Sequence, residues 1–521
     1  MTLNKSDRRG TALGGALSLM LATVIVKLLG VIYKVPLSYI LGDGGMGYFN
    51  SAYTVYSFFY LICTAGVPKA IMISVSESPS LGKSITRVAK SAFLAVGAAT
   101  TVLFLLLSPP LSHLIGNPSS IYTMIAVAPS IIFIAVSGVV RGYLSAEHKF
   151  LSVSISQIIE GGGKLVFGLA FAILAKRLGM PLYAISAFTI LGVSLGAIFG
   201  LVYLLIAARG VGEKSDFHFT RSERREVMKK LYSVSTPITV SAAVMSLTGL
   251  LDLFLIMKGL ISSGVSRESA NALYGNYTTL AVPMFNLAVS LIVPVSVAFL
   301  PSMTRAYINN RKDFSEVCGL AFGITAVLTA PLAFGMMMYP REILALLFED
   351  TGAAVGSHPL LVLSIGLFFY AALTVTNTAL ESMGLVRAPV YSMLVGCAVK
   401  TAVSVLLIRL PRYGIMGAPI GTVASYGVSL LVSVVYGAKK CKEKFPIISS
   451  FAKPTLLAFS SVYLSKGANF AVKNMFGEAA GTLAAIGVSG ILYLALLILF
   501  GILRGKKILK MSKYTKLTGK I

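Results

Sequence analysis

Residues 181–208 read PLYAISAFTILGVSLGAIFGLVYLLIAA, a run of 28 residues without one charged side chain. A helix needs about 20 mostly apolar residues to cross the hydrocarbon core of a bilayer. This run therefore predicts a transmembrane helix. Similar runs recur from one end of the chain to the other, so we expect an all-α protein that crosses the membrane many times.

The composition of the whole chain supports this class. Of its 521 residues, 56% are hydrophobic and only 12% are charged, whereas soluble domains carry about 25% charged residues. The apolar runs number about fourteen, and each predicts one membrane span. They fall near residues 12–35, 48–76, 91–110, 120–140, 151–175, 181–208, 231–257, 272–301, 315–338, 358–380, 388–408, 415–438, 454–471 and 480–503.

The placement of the 45 Lys and Arg residues predicts the orientation of these spans. If the N-terminus is cytoplasmic, 31 of them lie on the cytoplasmic side and nine outside, while the other five lie inside apolar runs. Cytoplasmic loops of membrane proteins carry such an excess. We therefore place both termini in the cytoplasm. Basic loops beside anionic membrane lipids explain the net charge of +26 without a nucleic-acid partner.

An internal repeat divides the chain into similar halves. Leu144–Leu165 aligns with Leu380–Thr401 without a gap at an offset of 236, and Gly192–Leu195 recurs as Gly427–Leu430 at an offset of 235. Because each repeat unit holds six spans, both begin on the same side of the membrane. An axis along the membrane normal should relate the two halves, with a cavity between them. The predicted parts are a six-helix bundle at 1–208, a basic linker at 209–230, a second six-helix bundle at 231–440, and helices 13 and 14 with a basic tail at 441–521.

Charged residues inside the spans are the candidate functional residues, because an ionisable group at membrane depth is costly and usually faces a cavity or a partner. Five are basic and two are acidic, which favours a cavity for an anionic substrate. The basic residues, predicted to bind substrate, are Lys27, Lys34, Lys69, Lys164 and Lys400. The acidic ones, predicted as ion-coupling groups or charge partners, are Glu160 and Asp252.

The partners of these charges are left open by the sequence. Glu160 and Lys164 stand four residues apart on one helix, a spacing at which they can pair directly. Lys400, the repeat partner of Lys164, has Gly396 where Glu160 stands, so another helix, water or an anionic ligand must meet its charge. Asp252 is either the partner of a lysine or the site of a coupling cation or proton.

Several classes of site are excluded by pattern. The four His and four Cys residues show no metal-ligand spacing, and no nucleotide-binding loop of the Gly-Lys-Ser/Thr type is present. No loop is long enough for a soluble catalytic domain. We therefore predict neither a cofactor, a metal site nor a catalytic residue, and we expect a protein that is not an enzyme.

Three stretches near the N-terminus resemble the opening of bacterial polysaccharide transporters of the SpoVB type. They are LGVIYKVP at residues 29–36, GDGGMGY at residues 42–48 and AGVPKA at residues 65–70. These transporters belong to the MOP superfamily, which includes MurJ-like lipid II flippases, Wzx-like flippases and MATE exporters. The resemblance implies two six-helix bundles with two further C-terminal helices.

The resemblance also implies a function, the export of an undecaprenyl-pyrophosphate-linked saccharide through a cationic central cavity while the lipid tail stays in the bilayer. MurJ-like proteins carry cavity arginines on the first, second and eighth helices. Here Lys27 and Lys34 occupy the first helix, Lys69 the second, and Arg305 follows the eighth. Partners implied by this function are membrane lipids and proteins of cell-envelope biosynthesis.

Three other functions remain open. A MATE-like antiporter shares the architecture but needs acidic groups to dominate its cavity, and Glu160 and Asp252 are its candidates. A membrane glycan polymerase or ligase needs a sizeable outer loop with clustered charges, and the longest, residues 339–356, carries only four charged residues. A scaffold for envelope assembly would tolerate the loss of every charge inside the spans.

Overall fold

A computed structural model describes residues 5–212, 217, 219–309, 311–348, 350–441 and 445–502. Within these ranges the chain forms helices and no strand. Short 3-10 turns lie at residues 79–81 and 414–416, and a π-helical turn at Tyr277–Ala281. The α-helices are α1 Lys5–Thr64, α2 Val67–Glu77, α3 Gly82–Ile115, α4 Ser120–Val127, α5 Ser130–Ala146, α6 Phe150–Arg177, α7 Leu182–Ala207, α8 Arg221–Ser262, α9 Arg267–Asn276, α10 Val282–Asn309, α11 Arg311–Met338, α12 Pro340–Ala345, α13 Asp350–Ser382, α14 Arg387–Ile408, α15 Gly417–Cys441, α16 Ile447–Phe476 and α17 Glu478–Leu499.

Twelve stretches of the described residues are long and apolar enough to cross a membrane. The first, Leu28–Glu77, is 50 residues long and contains the second predicted span with the end of the first. The seventh predicted span lies within α8, which is not among the twelve. The all-α, multi-pass fold is therefore confirmed, and the predicted count of fourteen remains approximate.

A glycine breaks α1 where the first predicted span gives way to the second. Gly42 has φ of 61° and ψ of −178° inside an otherwise helical segment. This left-handed conformation is open to glycine at little cost but strained for residues with a Cβ atom. The break at Gly42 thus lets one long helix change direction, and Tyr33 and Tyr53 lie on opposite sides of it.

The start of α8 is fixed by a capping box between Thr220 and Glu223. The Glu223 backbone amide donates to the Thr220 hydroxyl, and the Glu223 carboxylate accepts from the Thr220 amide at 2.7 Å. These bonds satisfy donors that a helix start otherwise leaves unpaired. Because the Thr220 backbone amide, and then its hydroxyl, bond to the ionised carboxyl, the pKa of Glu223 lies below its usual value.

The described residues divide into two compact units, Met1–Gly275 and Asn276–Ile521. Helices α1 to α8 lie in the first unit, and α10 to α17 lie in the second. By this division residues 231–275 group with the first unit. The predicted boundaries at 208, 230 and 440 follow the sequence repeat, and they stay a prediction.

The repeat is visible in the turns that precede α6 and α14. His148 and Gly384, which are 236 residues apart, both have left-handed backbone, with φ of 58° and 81°. The next residues, Lys149 and Leu385, each donate an amide to the carbonyl five residues earlier, at 2.8 and 3.0 Å. This pair of features is a helix C-terminal motif of the Schellman kind. The offset of 236 therefore holds in the backbone as well as in the sequence.

In the first unit, α6 and α7 pack with their backbones in close approach. A Cβ atom on Gly196 would lie 2.4 Å from the Glu160 carbonyl oxygen and 2.9 Å from the Lys164 amide nitrogen. Gly192 and Gly200, four residues to either side, make the same kind of approach to α6. Small residues at four-residue spacing let membrane helices approach in this way. The glycines of α7 thereby fix the position of Glu160 and Lys164 along the α6–α7 contact.

The α6–α7 register is set by two contacts. A Cβ atom on Gly192 would meet the Lys164 carbonyl oxygen at 3.0 Å, and one on Gly200 would meet the Ser156 carbonyl oxygen at 3.2 Å.

The second unit repeats these contacts with other partners. A Cβ atom on Gly421 would meet the Lys400 carbonyl oxygen at 3.0 Å, and the Ser429 hydroxyl donates to the Ser392 carbonyl oxygen at 3.0 Å. Gly421 is thus the packing equivalent of Gly192, at an offset of 229. The predicted match of Gly192 with Gly427 is wrong by six residues, because a short apolar motif recurs more easily by chance than a packing contact.

Candidate functional site: a charged, tyrosine-lined cavity in the first unit

A cavity of about 570 Å³ lies among α1, α5, α6 and α7 of the first unit. Its walls combine aliphatic residues with tyrosines and three charged side chains. The lining residues are Val26, Leu29, Gly30, Tyr33, Tyr53, Tyr56, Ser57, Tyr60, Leu61, Arg141, Gln157, Glu160, Gly161, Lys164 and Val193.

An ion pair joins α5 to α6 at one side of the cavity. Arg141 Nη2 lies 2.6 Å from Glu160 Oε2, and Arg141 Nε donates to the Ser156 hydroxyl at 3.2 Å. The two charged side chains are 12% and 24% exposed. Breaking a pair this deeply buried leaves one charge without compensation, so each partner depends on the other.

The third charged group, Lys164, lies among aromatic rings of α1. Its ammonium nitrogen is 4.2 Å from the ring centroid of Tyr53, 5.3 Å from that of Tyr33 and 5.9 Å from that of Phe49. A cation within about 6 Å of a ring face is attracted by the electrons of the ring. Of the alternatives that the sequence left open, the pairing of Glu160 with Lys164 is therefore not the one formed. Glu160 pairs across helices with Arg141, and Lys164 turns toward α1.

Tyrosines form a ladder along the part of α1 that follows Gly42. Tyr53, Tyr56 and Tyr60 are three and four residues apart, a spacing that places them on one helix face. Their ring centroids are separated by 5.7 and 5.9 Å. On the other side of the break, the Tyr33 hydroxyl is buried and has no hydrogen-bond partner among the described residues. Tyr53 and Tyr60 are partly exposed and give the cavity aromatic surface, whereas Tyr56 and Tyr33 are buried.

The other predicted basic residues of the first unit lie outside this lining. Lys34 is half-buried on α1, within electrostatic range of Lys164. Lys69 is exposed in the first turn of α2. The side chain of Lys27 lies outside the described residues. Their predicted role in substrate binding stays a prediction.

Asp252 and Lys400 occupy separate parts of the fold. Asp252 is half-buried on α8 and acts electrostatically on Tyr274, whose hydroxyl shares a hydrogen bond with Thr54 at 3.1 Å. Lys400 is half-buried on α14 in the second unit. Of the seven predicted site residues, the cavity brings together Glu160 and Lys164.

Arg141 is the charged cavity residue that sequence reasoning missed, and the lining tyrosines and Gln157 were not predicted as site residues either. It follows directly after the apolar run assigned to residues 120–140 and was counted with the cytoplasmic loop. In the structure α5 continues to Ala146, and the Arg141 side chain is mostly buried. The signal was present, since Gly142, Tyr143 and Leu144 prolong the apolar pattern beyond the arginine.

Comparison with family models assigns the chain to a known protein family. The family model described as "Polysaccharide biosynthesis protein" matches residues 12–307, more than half of the chain. The chain belongs to this polysaccharide biosynthesis protein family. The family model described as "MatE" matches residues 237–407, and together the two matches place the family member in the MOP superfamily, as the resemblance implied.

Two relatives from Bacillus subtilis (strain 168) span most of this family member. Stage V sporulation protein B is 24% identical over 95% of this chain and 96% of its own length. Lipid II flippase MurJ is 22% identical over 81% of this chain and 82% of its own length. One of these relatives is thus named as a lipid II flippase and the other as a sporulation protein. With its twelve candidate spans, the family member is a multi-pass membrane protein.

Two solved structures share the fold of this family member. Lipid II flippase MurJ in an inward closed conformation superimposes with a TM-score of 0.67 at 17% identity, over 92% of this chain and 98% of that one. An inward-facing MATE family transporter superimposes with a TM-score of 0.61 at 17% identity, over 81% and 99%. At such low identity these likenesses establish the MOP fold alone.

Proposed function

We propose that this protein moves an undecaprenyl-pyrophosphate-linked saccharide across the bacterial cytoplasmic membrane by alternating access. The anionic head group passes the basic residues inside the spans, and the lipid tail stays in the bilayer. Transport of this kind breaks no covalent bond, so the protein acts without a catalytic residue or cofactor and is not an enzyme. The residues proposed to meet the head group are Lys27, Lys34, Lys69, Lys164 and Lys400.

The observation that carries this proposal is the charge of the cavity in the first unit. Arg141 and Glu160 neutralise one another at 2.6 Å, which leaves the charge of Lys164 uncompensated by a carboxylate there. A positive cavity at membrane depth attracts an anionic group and repels a cation. Lys34, within electrostatic range of Lys164, adds to this field.

The proposed setting of the protein follows from the orientation of the charges. Both termini lie in the cytoplasm, where the basic loops meet anionic lipid head groups. The functional partners are the cell-envelope biosynthesis proteins that make the lipid-linked saccharide on one side and use it on the other. In this scheme Glu160 holds Arg141, and Asp252 is the candidate for a coupling ion or proton.

Translocation in liposomes tests the proposal. The purified protein is reconstituted, and the transfer of a labelled undecaprenyl-pyrophosphate saccharide is measured for the wild type and for Lys34→Ala, Lys164→Ala and Lys400→Ala. We expect each substitution to lower the rate about tenfold, which corresponds to about 1.4 kcal/mol. The control is Lys473→Ala, because Lys473 pairs with Glu478 at an exposed position. Equal rates in all five proteins would contradict the role of these lysines.

A second candidate function is an antiporter of organic cations, favoured by the match of residues 237–407 to the MatE family. The same liposomes test it through proton-driven efflux of a cationic dye. Efflux that depends on Glu160 or Asp252, without transfer of any lipid-linked saccharide, would replace the flippase proposal. The position of Lys164 on the Tyr53 ring argues against this function, because the lysine already occupies the aromatic surface that an organic cation needs.

A further inference from the structure

The cavity in the first unit has the size of a small-molecule site. Its volume of about 570 Å³ lies within the range of about 300–1,000 Å³ usual for such sites. All of its lining residues belong to the first compact unit. The chemistry of these walls indicates what it binds.

The charge balance of the walls selects against cations. The Arg141–Glu160 pair is neutral, and the ammonium of Lys164 already lies 4.2 Å from the ring of Tyr53. A second cation would meet a net positive cavity and an occupied ring face. The walls therefore suit a ligand that is neutral or anionic.

The remaining groups suit a ring that has both a hydrophobic face and hydroxyl groups. Tyr60 lines the cavity and is partly exposed, whereas Tyr53 already contacts Phe49 and Lys164, and Tyr56 is buried at 3% exposure. Aromatic surfaces pack against the C–H face of a sugar ring, as they do against other apolar surfaces. A carboxylate and an amide, here Glu160 and Gln157, can each bond to neighbouring hydroxyls.

We propose that this cavity is the subsite for a sugar ring of the transported head group, with Tyr60 as its stacking ring and Gln157 and Glu160 as its hydroxyl-binding groups. The inference rests on the proposed function. It assigns two roles within the cavity: Lys164 attracts the anionic pyrophosphate, and the hydroxyl-binding groups distinguish one saccharide from another. Gln157 then determines specificity for the sugar.

Binding can be measured directly because the chain contains no Trp. Tyr60→Trp introduces a single fluorescent reporter at the cavity wall. The protein in lipid nanodiscs is titrated with three probes: undecaprenyl-pyrophosphate N-acetylglucosamine, undecaprenyl pyrophosphate without sugar, and free N-acetylglucosamine. We expect the sugar-bearing lipid to change the emission at lower concentration than either other probe. A response to the free sugar at equal concentration would assign the cavity to free saccharides and overturn the link to the head group.

Variants in the reporter background test the assigned residues. We expect Gln157→Leu to weaken binding of the sugar-bearing lipid about tenfold, while the lipid without sugar binds as before. The matched control is Tyr122→Leu, since Tyr122 stacks on Tyr183 at 4.9 Å and is 53% exposed. Equal binding of the two lipids, unchanged by Gln157→Leu, would overturn the proposal. So would displacement of the sugar-bearing lipid by tetraphenylphosphonium, a cationic probe.

Failure of the subsite proposal can be distinguished from failure of the proposed function. Translocation that persists in liposomes while Gln157→Leu leaves sugar binding unchanged removes the subsite and keeps the flippase. Sugar binding that depends on Gln157 without translocation of any lipid-linked saccharide removes the flippase and keeps the subsite as a saccharide-binding cavity.

Discussion

The helices α5 to α7 of the first unit and α13 to α15 of the second are built on the same backbone plan and carry different chemistry. Both sets have a left-handed residue in the turn, at His148 and Gly384, and both have a lysine beside a close helix contact, Lys164 and Lys400. The two units thus share this backbone arrangement.

The charged groups around the two lysines differ. At the repeat offset of 236, Asn377 stands in the place of Arg141, and Gly396 stands in the place of Glu160. The Asn377 side-chain oxygen accepts from the Ser433 hydroxyl at 2.9 Å. Both members of the ion pair are replaced together, as expected if neither charge is tolerated alone at membrane depth. The comparison indicates that the first unit has the more specialised site.

The two units also place different residues at the close contact between the paired helices, α6 and α7 in the first unit and α14 and α15 in the second. Where Glu160 carries a side chain, the facing residue on α7 is Gly196. Where Gly396 takes the place of Glu160, the facing residue on α15 is Ser425, whose carbonyl would lie 2.9 Å from a Cβ atom on Gly396. At this level the second unit has a glycine on α14 and a serine on α15, whereas in the first unit Gly196 of α7 meets Glu160 and also Gly163 of α6.

Among the substitutions that exchange features between the units, Gly196→Ser is expected to have the largest effect on stability, because it places the serine of the second unit in the first. In Gly196→Ser the new Cβ atom would lie 2.4 Å from the Glu160 carbonyl oxygen, so α6 and α7 must separate. We expect a loss of about 3 kcal/mol in the free energy of unfolding, at the upper end of usual overpacking costs. Denaturation in mixed micelles measures it. Ser425→Gly is the matched control, since it adds no atoms at the crossing of the second unit, and an equal loss in both variants would refute the asymmetry.

The ion pair gives the next largest effect. Arg141→Asn alone leaves Glu160 charged and partly buried, and we expect a cost of about 2 kcal/mol, less than for a fully buried pair because the carboxylate is 24% exposed. Adding Glu160→Gln, which removes the second charge, should recover much of that loss. A double-mutant cycle in the same unfolding assay measures the coupling. Losses that simply add would mean that the pair contributes nothing beyond its separate side chains.

Sequence patterns predicted the class of the protein and part of its site. Apolar runs and the Lys and Arg distribution predicted a multi-pass helical protein, and the comparison with known folds confirmed it. The cost of charge at membrane depth singled out Glu160 and Lys164, which both line the cavity. These arguments work because the bilayer constrains each segment on its own.

The contacts that define the cavity could not be predicted in the same way. Spacing along one helix favoured Lys164 as the partner of Glu160, but the pairing depends on how α5 packs on α6, which no single-helix pattern contains. Lys164 meets Tyr53 across 111 residues of sequence for the same reason. Arg141 was missed because an apolar window ends at a charge even where the helix continues.

The smallest expected effect concerns the paired turns. Gly384 has φ of 81° with open space around it, so Gly384→Ala meets only backbone strain, and we expect a loss of about 1 kcal/mol. At the equivalent position His148 already bears that strain at φ of 58°, and His148→Gly should stabilise the protein by a similar amount. Thermal unfolding of the two variants in the same detergent shows whether each substitution raises or lowers the stability. Opposite shifts of similar size would establish that the turns are equivalent in energy as well as in geometry. Destabilisation by His148→Gly would instead mean that the imidazole makes a compensating contact. The candidate for that contact is the Phe150 ring, whose centroid lies 6.0 Å from that of His148.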